Sequence, residues 1–465
     1  MPRRWLAGFF AVSAAFAALV AIFSSDSVHQ LWGVMAACGY GFAFVAMLAW
    51  RRRGTDLALG LSLCGALVAP LTWMAASGLE QPEVWVVARA GQTLVHLGTP
   101  YAGAAELARA TDPNAYNPYL PVMALFGLPR ALLGTGLLTD PRVWFGVVFL
   151  VVFWLALRVG GARDPWRWAV LVAASPVIAF ELAVGGTDVP MVAFLCLGFA
   201  FLVPQGSPAR GDGGRGALPQ GNGGRGAPSR GGGGRGAPPQ GNGGRAAPHA
   251  GGSPGGRPPG PAEPPALALP VLAGLALGIA AAMKATAWPA VVVAIALLAV
   301  RDGKRTAGTF ALTALAVVAA FVGPFVVHPR ALVENTIMFP LGLASVTSQA
   351  SSPLPGHVIA STGHLGHAVV VVLLAAAGVA VAASLVIRTP RSVPRAVMLL
   401  AGAMTLMFVL APSTRFGYLI YPATLVIWLL AVVADSAAPD GPVTPDLGAP
   451  AASSRTKRPT SPATR

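Results

Sequence analysis

The sequence predicts an all-α fold, a polytopic bundle of about 12 transmembrane helices, from its composition and its apolar runs. Of the 465 residues, 55% are hydrophobic and only 11% are charged, whereas charged residues make up roughly 25% of a typical soluble domain. A soluble chain of this length needs far more charge to cover its surface. The composition therefore excludes an ordinary soluble enzyme, a coiled coil and a wholly disordered protein.

Apolar runs of about the length that crosses the hydrocarbon core, about 20 residues, define the predicted helices. They cover residues 5–23, 31–50, 56–76, 142–158, 166–184, 187–203, 267–283, 285–300, 307–327, 367–387, 396–411 and 416–434. The first run follows Arg3 and Arg4, as in a secretory signal peptide. We interpret it as a retained helix, because it continues to Phe23 and many further spans follow.

The distribution of Lys and Arg predicts how these helices are oriented. With the N-terminus inside, 25 of the 32 Lys and Arg residues lie in cytoplasmic segments, in agreement with the positive-inside rule. We therefore predict a multi-pass plasma-membrane protein with both termini in the cytoplasm and two large outer loops, 77–141 and 328–366. The apolar stretch 119–137 is interrupted by Pro121, Pro129 and Arg130, so we interpret it as an interfacial or re-entrant segment.

A ten-residue repeat rich in Gly, Pro and Arg fills much of residues 204–266. Such a composition cannot bury a core, so we predict a disordered cytoplasmic linker between membrane helices at 1–203 and 267–434, and a similar disordered tail at 435–465. The net charge of +15 would suggest nucleic acid in a soluble protein. The linker offers no aromatic residue on which bases could stack, so we predict no nucleic-acid partner.

Polar residues that are candidates for function gather on the predicted outer face. Asp188 and Lys284 interrupt apolar sequence, and ionisable groups at membrane depth are costly and tend to mark function. A lysine that snorkels from a helix end is the alternative for Lys284. Glu83 opens a predicted helix, where the helix dipole also favours an acid. Asp112 precedes Pro113, as a turn residue does.

The second outer loop, together with the first residue of the span that follows it, contains Arg330, Asn335 and four histidines. The histidines are His328, His357, His364 and His367. No carboxylate accompanies the closely spaced pair, and a structural or catalytic zinc site needs more ligands than that pair supplies. We predict no metal site and expect the loop to cover a substrate.

The order of motifs resembles that of a known superfamily. An outer loop with an acidic residue is followed by GTPY (98–101), YNPYLP (116–121), GGTD (185–188), GIAAAMKATAWP (278–289) and RFGYLIYP (415–422). This order resembles the GT-C superfamily of polyprenyl-phosphate-sugar-dependent glycosyltransferases. The pattern is most similar to the family 87 mannosyltransferase-like membrane proteins of actinobacteria.

The resemblance implies a role for each matching residue. Glu83 stands where the family usually has a catalytic Asp and would act as general base, with Asp112 as the reserve candidate. Lys284 and a loop arginine would face the phosphate that departs from the donor. The other substrate-binding residues implied are Arg89, Tyr101, Tyr116, Asn117, Asp188, Arg330 and Asn335.

The implied reaction needs no cofactor, because a polyprenyl-phosphate sugar is the donor substrate. A sugar, such as mannose or another hexose or pentose, would pass with inversion to a lipid or cell-envelope glycan at the outer face. Two other functions stay open at this point: a transporter or flippase for lipid-linked glycans, and a non-catalytic membrane scaffold. A transporter should carry charges midway along its helices and show a duplicated set of membrane helices, and neither feature is visible in the sequence.

Overall fold

The computed structural model describes residues 2–51, 53–204, 267–344, 346 and 350–436, and these residues form an all-α bundle, as predicted. The predicted linker and tail lie outside the described residues, apart from Pro204 and the helical residues 435–436. The main helices are α1 (Arg3–Phe23), α2 (Ser27–Ala49), α3 (Gly54–Ala76), α4 (Pro82–Leu97), α5 (Pro141–Gly160), α6 (Pro165–Ala173), α7 (Pro176–Val184), α8 (Val189–Phe201), α9 (Ala268–Met283), α10 (Trp288–Arg301), α11 (Lys304–Val322), α12 (His364–Ile387), α13 (Val393–Leu410) and α14 (Ile420–Ser436).

Each predicted span coincides with a helix or a helix pair. Within the described ranges, eight helical stretches are long and apolar enough to cross a membrane, or nine if α6 and α7, bent by 59° from each other, form one span. The bend follows from Ser175 and Pro176, since proline cannot continue a helix without loss of a backbone hydrogen bond. The sequence had predicted an unbroken helix here.

Three predicted spans, 187–203, 267–283 and 285–300, are shorter in the structure. Helices α8, α9 and α10 have 13, 16 and 14 residues, and a 13-residue helix is only ~20 Å long. Eleven residues of α8 are buried, as expected for a helix that is apolar on every side and packs inside a bundle. Helix α8 is therefore a central helix that packs against α5 and α9, and the count of twelve spans stays a prediction.

The predicted cytoplasmic segments meet at one end of the bundle. Arg3 donates to the carbonyl of Arg51 at 2.6 Å, and Arg301 donates to the carbonyl of Leu202 at 2.6 Å. We call this the arginine end. The other end, where α8 begins and α9 ends, holds both predicted outer loops and is called the loop end.

The apolar segment 119–137 folds into short helices at the loop end. The Leu120 amide donates to the Met283 carbonyl at 2.9 Å, and Arg130 pairs with Glu80 at 3.0 Å. Both contacts join the segment to residues at the loop end, which agrees with the interpretation that it does not cross the membrane.

Candidate functional site

A buried ion pair lies where α8 begins and α9 ends. Lys284 Nζ lies 2.5 Å from Asp188 Oδ1 and donates to Thr187 Oγ1 at 3.0 Å. Both charged residues are 8% exposed. A carboxylate at a helix N-terminus and an amine at a helix C-terminus each complement the helix dipole, and buried charges persist only when they are paired. The two residues, which the sequence predicts on one outer face, thus form a buried pair.

Two tyrosines complete the surroundings of this pair. Tyr421 of α14 donates to Asp188 Oδ1 and lies 3.0 Å from Thr286 Oγ1. The Tyr119 ring centroid lies 4.6 Å from Lys284 Nζ, within cation–π range. Burial raises the pKa of Tyr119, so that its hydroxyl stays protonated. The Lys284 amine therefore touches a carboxylate, a hydroxyl and an aromatic face.

Glu83 lies in the first turn of α4, close to the turn that carries Asp188. Its carboxylate pairs with Arg415, which immediately precedes the final helical segment. Its second oxygen, Oε2, is buried and has no hydrogen-bond partner. A Cβ placed on Gly185 would lie 3.8 Å from that oxygen. A carboxylate oxygen with an unused lone pair is the group that a general base requires.

We call Glu83, Asp188, Lys284, Arg415 and Tyr421 the ionic cluster. They come from α4, the α7–α8 turn, the end of α9 and the final helical segment, all at the loop end. Two acids and two bases give the cluster no net formal charge. Among the described residues, no three His, Cys, Asp or Glu side chains are arranged to hold a metal ion.

Asp112 and Arg89 hold the first outer loop together. Asp112 is exposed and accepts a hydrogen bond from the Asn114 amide at 2.8 Å, which caps a short turn. Arg89 donates to the Ala115 carbonyl at 3.0 Å and lies 4.7 Å from the Trp85 ring centroid. Burial lowers the pKa of the Arg89 guanidinium. Asp112 is therefore the turn residue that the sequence predicted.

Two asparagines join the two outer loops. The backbone N–H of Asn117 donates to Asn335 Oδ1 at 2.8 Å, and the side-chain Nδ2 of Asn117 donates to the Pro100 carbonyl at 2.9 Å. Asn335 Nδ2 donates to the Ala331 carbonyl at 2.8 Å. Both side chains are buried, so their hydrogen bonds hold the two loops together.

Tyr101 and Tyr116 are also buried between the loops. Tyr101 donates to the Tyr119 carbonyl at 3.1 Å, which connects it to the ring beside Lys284. Tyr116 stacks on Phe339 with ring centroids 4.6 Å apart. Tyr101 and the exposed Arg330 line a cavity of about 490 Å³ between the loops.

Neither Arg415 nor Tyr421 is among the site residues that the sequence predicts. Both lie in RFGYLIYP, which carried part of the resemblance. The feature of the sequence that could have indicated them is an arginine and a tyrosine at the start of the last apolar run, on the same predicted face as Glu83 and Lys284.

One known protein family matches a segment of the chain. Residues 265–412 match glycosyltransferase family 87, a range that includes Lys284 and helices α9 to α13. The match supports the predicted family over this segment, whereas mannose specificity and actinobacterial origin stay predictions. No curated protein sequence matches the chain.

Two solved structures are similar to the chain. They are ArnT from Cupriavidus metallidurans in the apo state, with 15% identity and a TM-score of 0.43, and the same protein bound to undecaprenyl phosphate, with 16% identity and a TM-score of 0.44. The first match covers 81% of this chain and 59% of ArnT, and the second covers 83% and 60%. The chain thus spans about three-fifths of the length of ArnT.

Proposed function

We propose that the protein is a membrane glycosyltransferase that transfers a sugar from a polyprenyl-phosphate donor to a lipid or glycan acceptor. The observation that carries the proposal is the ionic cluster, which holds a carboxylate with an unused oxygen, Glu83, and a buried lysine, Lys284, at the same end of a membrane bundle. The match of residues 265–412 to glycosyltransferase family 87 supports the same reaction class. The proposed location is the plasma membrane, with the loop end of the bundle facing the outside of the cell.

Glu83 is the proposed general base. The acceptor hydroxyl gives its proton to Glu83 as its oxygen attacks the anomeric carbon of the donor. The bond between that carbon and the phosphate oxygen breaks, and the phosphate leaves with the bonding electrons. Attack opposite the leaving group inverts the anomeric centre.

Positive side chains are needed where negative charge develops on the departing phosphate. Lys284 is the proposed main cation, and Arg415 is a second one because its guanidinium is already at Glu83. Asp188 and Tyr421 hold the lysine amine in place until the donor arrives. The prenyl chain remains in the bilayer among the apolar helices.

The proposal is tested by a transfer assay in membranes with radiolabelled polyprenyl-phosphate mannose and other lipid-linked sugars. Glu83→Gln should lower transfer by about 10²–10⁴-fold, the usual contribution of a general base. Glu106→Gln is the matched control, because Glu106 is an exposed acid of the same loop. Asp112→Asn is compared in parallel as the reserve base. Equal transfer by wild type and Glu83→Gln would remove Glu83 from the mechanism.

A further inference from the structure

A second cavity, of about 570 Å³, lies at the arginine end of the bundle. It is formed where α12 ends, α13 begins and α10 approaches its end. Helix α13 has 18 residues and so separates this cavity from Arg415 by ~27 Å. The cavity is therefore distinct from the ionic cluster and from the space between the outer loops.

Three arginines line this cavity: Arg388, Arg391 and Arg395. No ion pair or hydrogen bond joins their guanidinium groups to another described residue, and no acidic side chain is among the lining residues. The acid near the end of α10, Asp302, is paired with Arg301 at 2.7 Å. Three positive charges around one cavity, with no counter-charge in its lining, favour the binding of an anion.

Two apolar side chains of the lining, from the end of α12, face outward. Val386 and Ile387 are 81% and 78% exposed, at the end of a helix with the hydropathy of a membrane span. Hydrocarbon chains of the bilayer are the natural neighbours of such side chains. A free phosphate would contact the arginines alone. A lipid with a charged headgroup would contact the arginines through its headgroup and the apolar side chains through its acyl chains.

We propose that this cavity binds the headgroup of an anionic phospholipid, with its phosphate among Arg388, Arg391 and Arg395 and its acyl chains against Val386 and Ile387. Basic pockets between membrane helices are known to bind such headgroups. The bound lipid would hold the end of α12 against the start of α13. This inference does not depend on the proposed transferase activity.

The test measures lipids retained by the full-length protein. The protein is extracted from vesicles of equal phosphatidylglycerol and phosphatidylcholine, and its bound lipids are identified by native mass spectrometry. Wild type should retain phosphatidylglycerol selectively. Replacement of all three cavity arginines by Gln should weaken that retention roughly 100-fold, since each arginine near a lipid surface contributes about a fivefold effect.

The matched control removes three exposed arginines elsewhere at the arginine end, with Arg4→Gln, Arg53→Gln and Arg158→Gln. It should retain the lipid as wild type does, and the melting temperatures of both triple variants show whether each is folded. Equal loss in both would reduce the effect to general charge attraction and overturn the proposal. Displacement of the lipid by inorganic phosphate at an equal concentration would instead assign the cavity to free phosphate, which also overturns it.

Discussion

At the residue scale, loss of either partner of the Asp188–Lys284 pair should cause a large decrease in the free energy of unfolding. Loss of one partner leaves a buried charge uncompensated, which typically costs about 3–5 kcal/mol. We therefore expect Asp188→Asn to lower the free energy of unfolding by about 3 kcal/mol. The double variant Asp188→Asn with Lys284→Met should lose less than the sum of the two single changes. Unfolding titrations in detergent micelles measure all four proteins of the cycle.

The exposed pair of Asp56 and Arg167 supplies the control for that cycle. Their side chains are 65% and 52% exposed, and exposed pairs contribute only about 0–1 kcal/mol. Asp56→Asn should therefore have little effect on unfolding. If Asp188→Asn costs no more than Asp56→Asn, the buried pair does not form in the membrane protein.

Part of the ionic cluster was predictable from single residues, and part was not. Asp188 and Lys284 stand out because charge in apolar sequence is costly, and they do meet. The pairing of Glu83 with Arg415 joins residues more than 300 positions apart, and no local pattern encodes such a distance. Asn117 lies in a motif that carried the resemblance and Asn335 was expected to bind substrate, yet the contact between them could be seen only once both loops were placed.

At the element scale, the position of α4 depends on a contact between two glycines. A Cβ on Gly91 would lie 2.4 Å from the Gly127 carbonyl carbon, too close for any side chain. Gly91→Ala must therefore displace α4, which carries Glu83 in its first turn. We expect a loss of about 1–3 kcal/mol in the free energy of unfolding, as for other overpacked sites, and a drop in sugar transfer.

Gly103→Ala is the matched change for this test. A Cβ on Gly103 would meet nothing within 4 Å, and its φ of −69° suits any residue. This variant should have a melting temperature and a rate of sugar transfer close to those of wild type. A Gly91→Ala protein that also behaves as wild type would show that α4 tolerates a shift and does not position Glu83 tightly.

Helix positions followed well from apolar runs, because length and hydropathy are local properties of the sequence. The exceptions have physical causes. The bend between α6 and α7 arises at Ser175 and Pro176, and the shortness of α8 reflects its burial among other helices. A buried helix need not match the bilayer thickness, and a hydropathy pattern cannot distinguish it from one that faces lipid.

At the scale of the whole molecule, the proposed location of the ionic cluster requires that the loop end faces outward. The positive-inside rule predicts this orientation, and the structure places the two outer loops together at one end. Single cysteines can test it in a background with Cys38, Cys64 and Cys196 replaced by Ala. Ala105→Cys and Ser361→Cys lie at exposed positions of the two outer loops, and Lys304→Cys lies at an exposed position of the arginine end.

A membrane-impermeant maleimide should label the two loop cysteines in intact cells and should reach Lys304→Cys only after the cells are permeabilised. The reason is that an outward loop end is in contact with the external solution, whereas the arginine end faces the cytoplasm. The reverse pattern would place the ionic cluster in the cytoplasm, where donor and acceptor would both have to be supplied from the cytosolic leaflet. Labelling of only one loop cysteine would instead show that the loops lie on different sides and that the chain crosses the membrane once more between them.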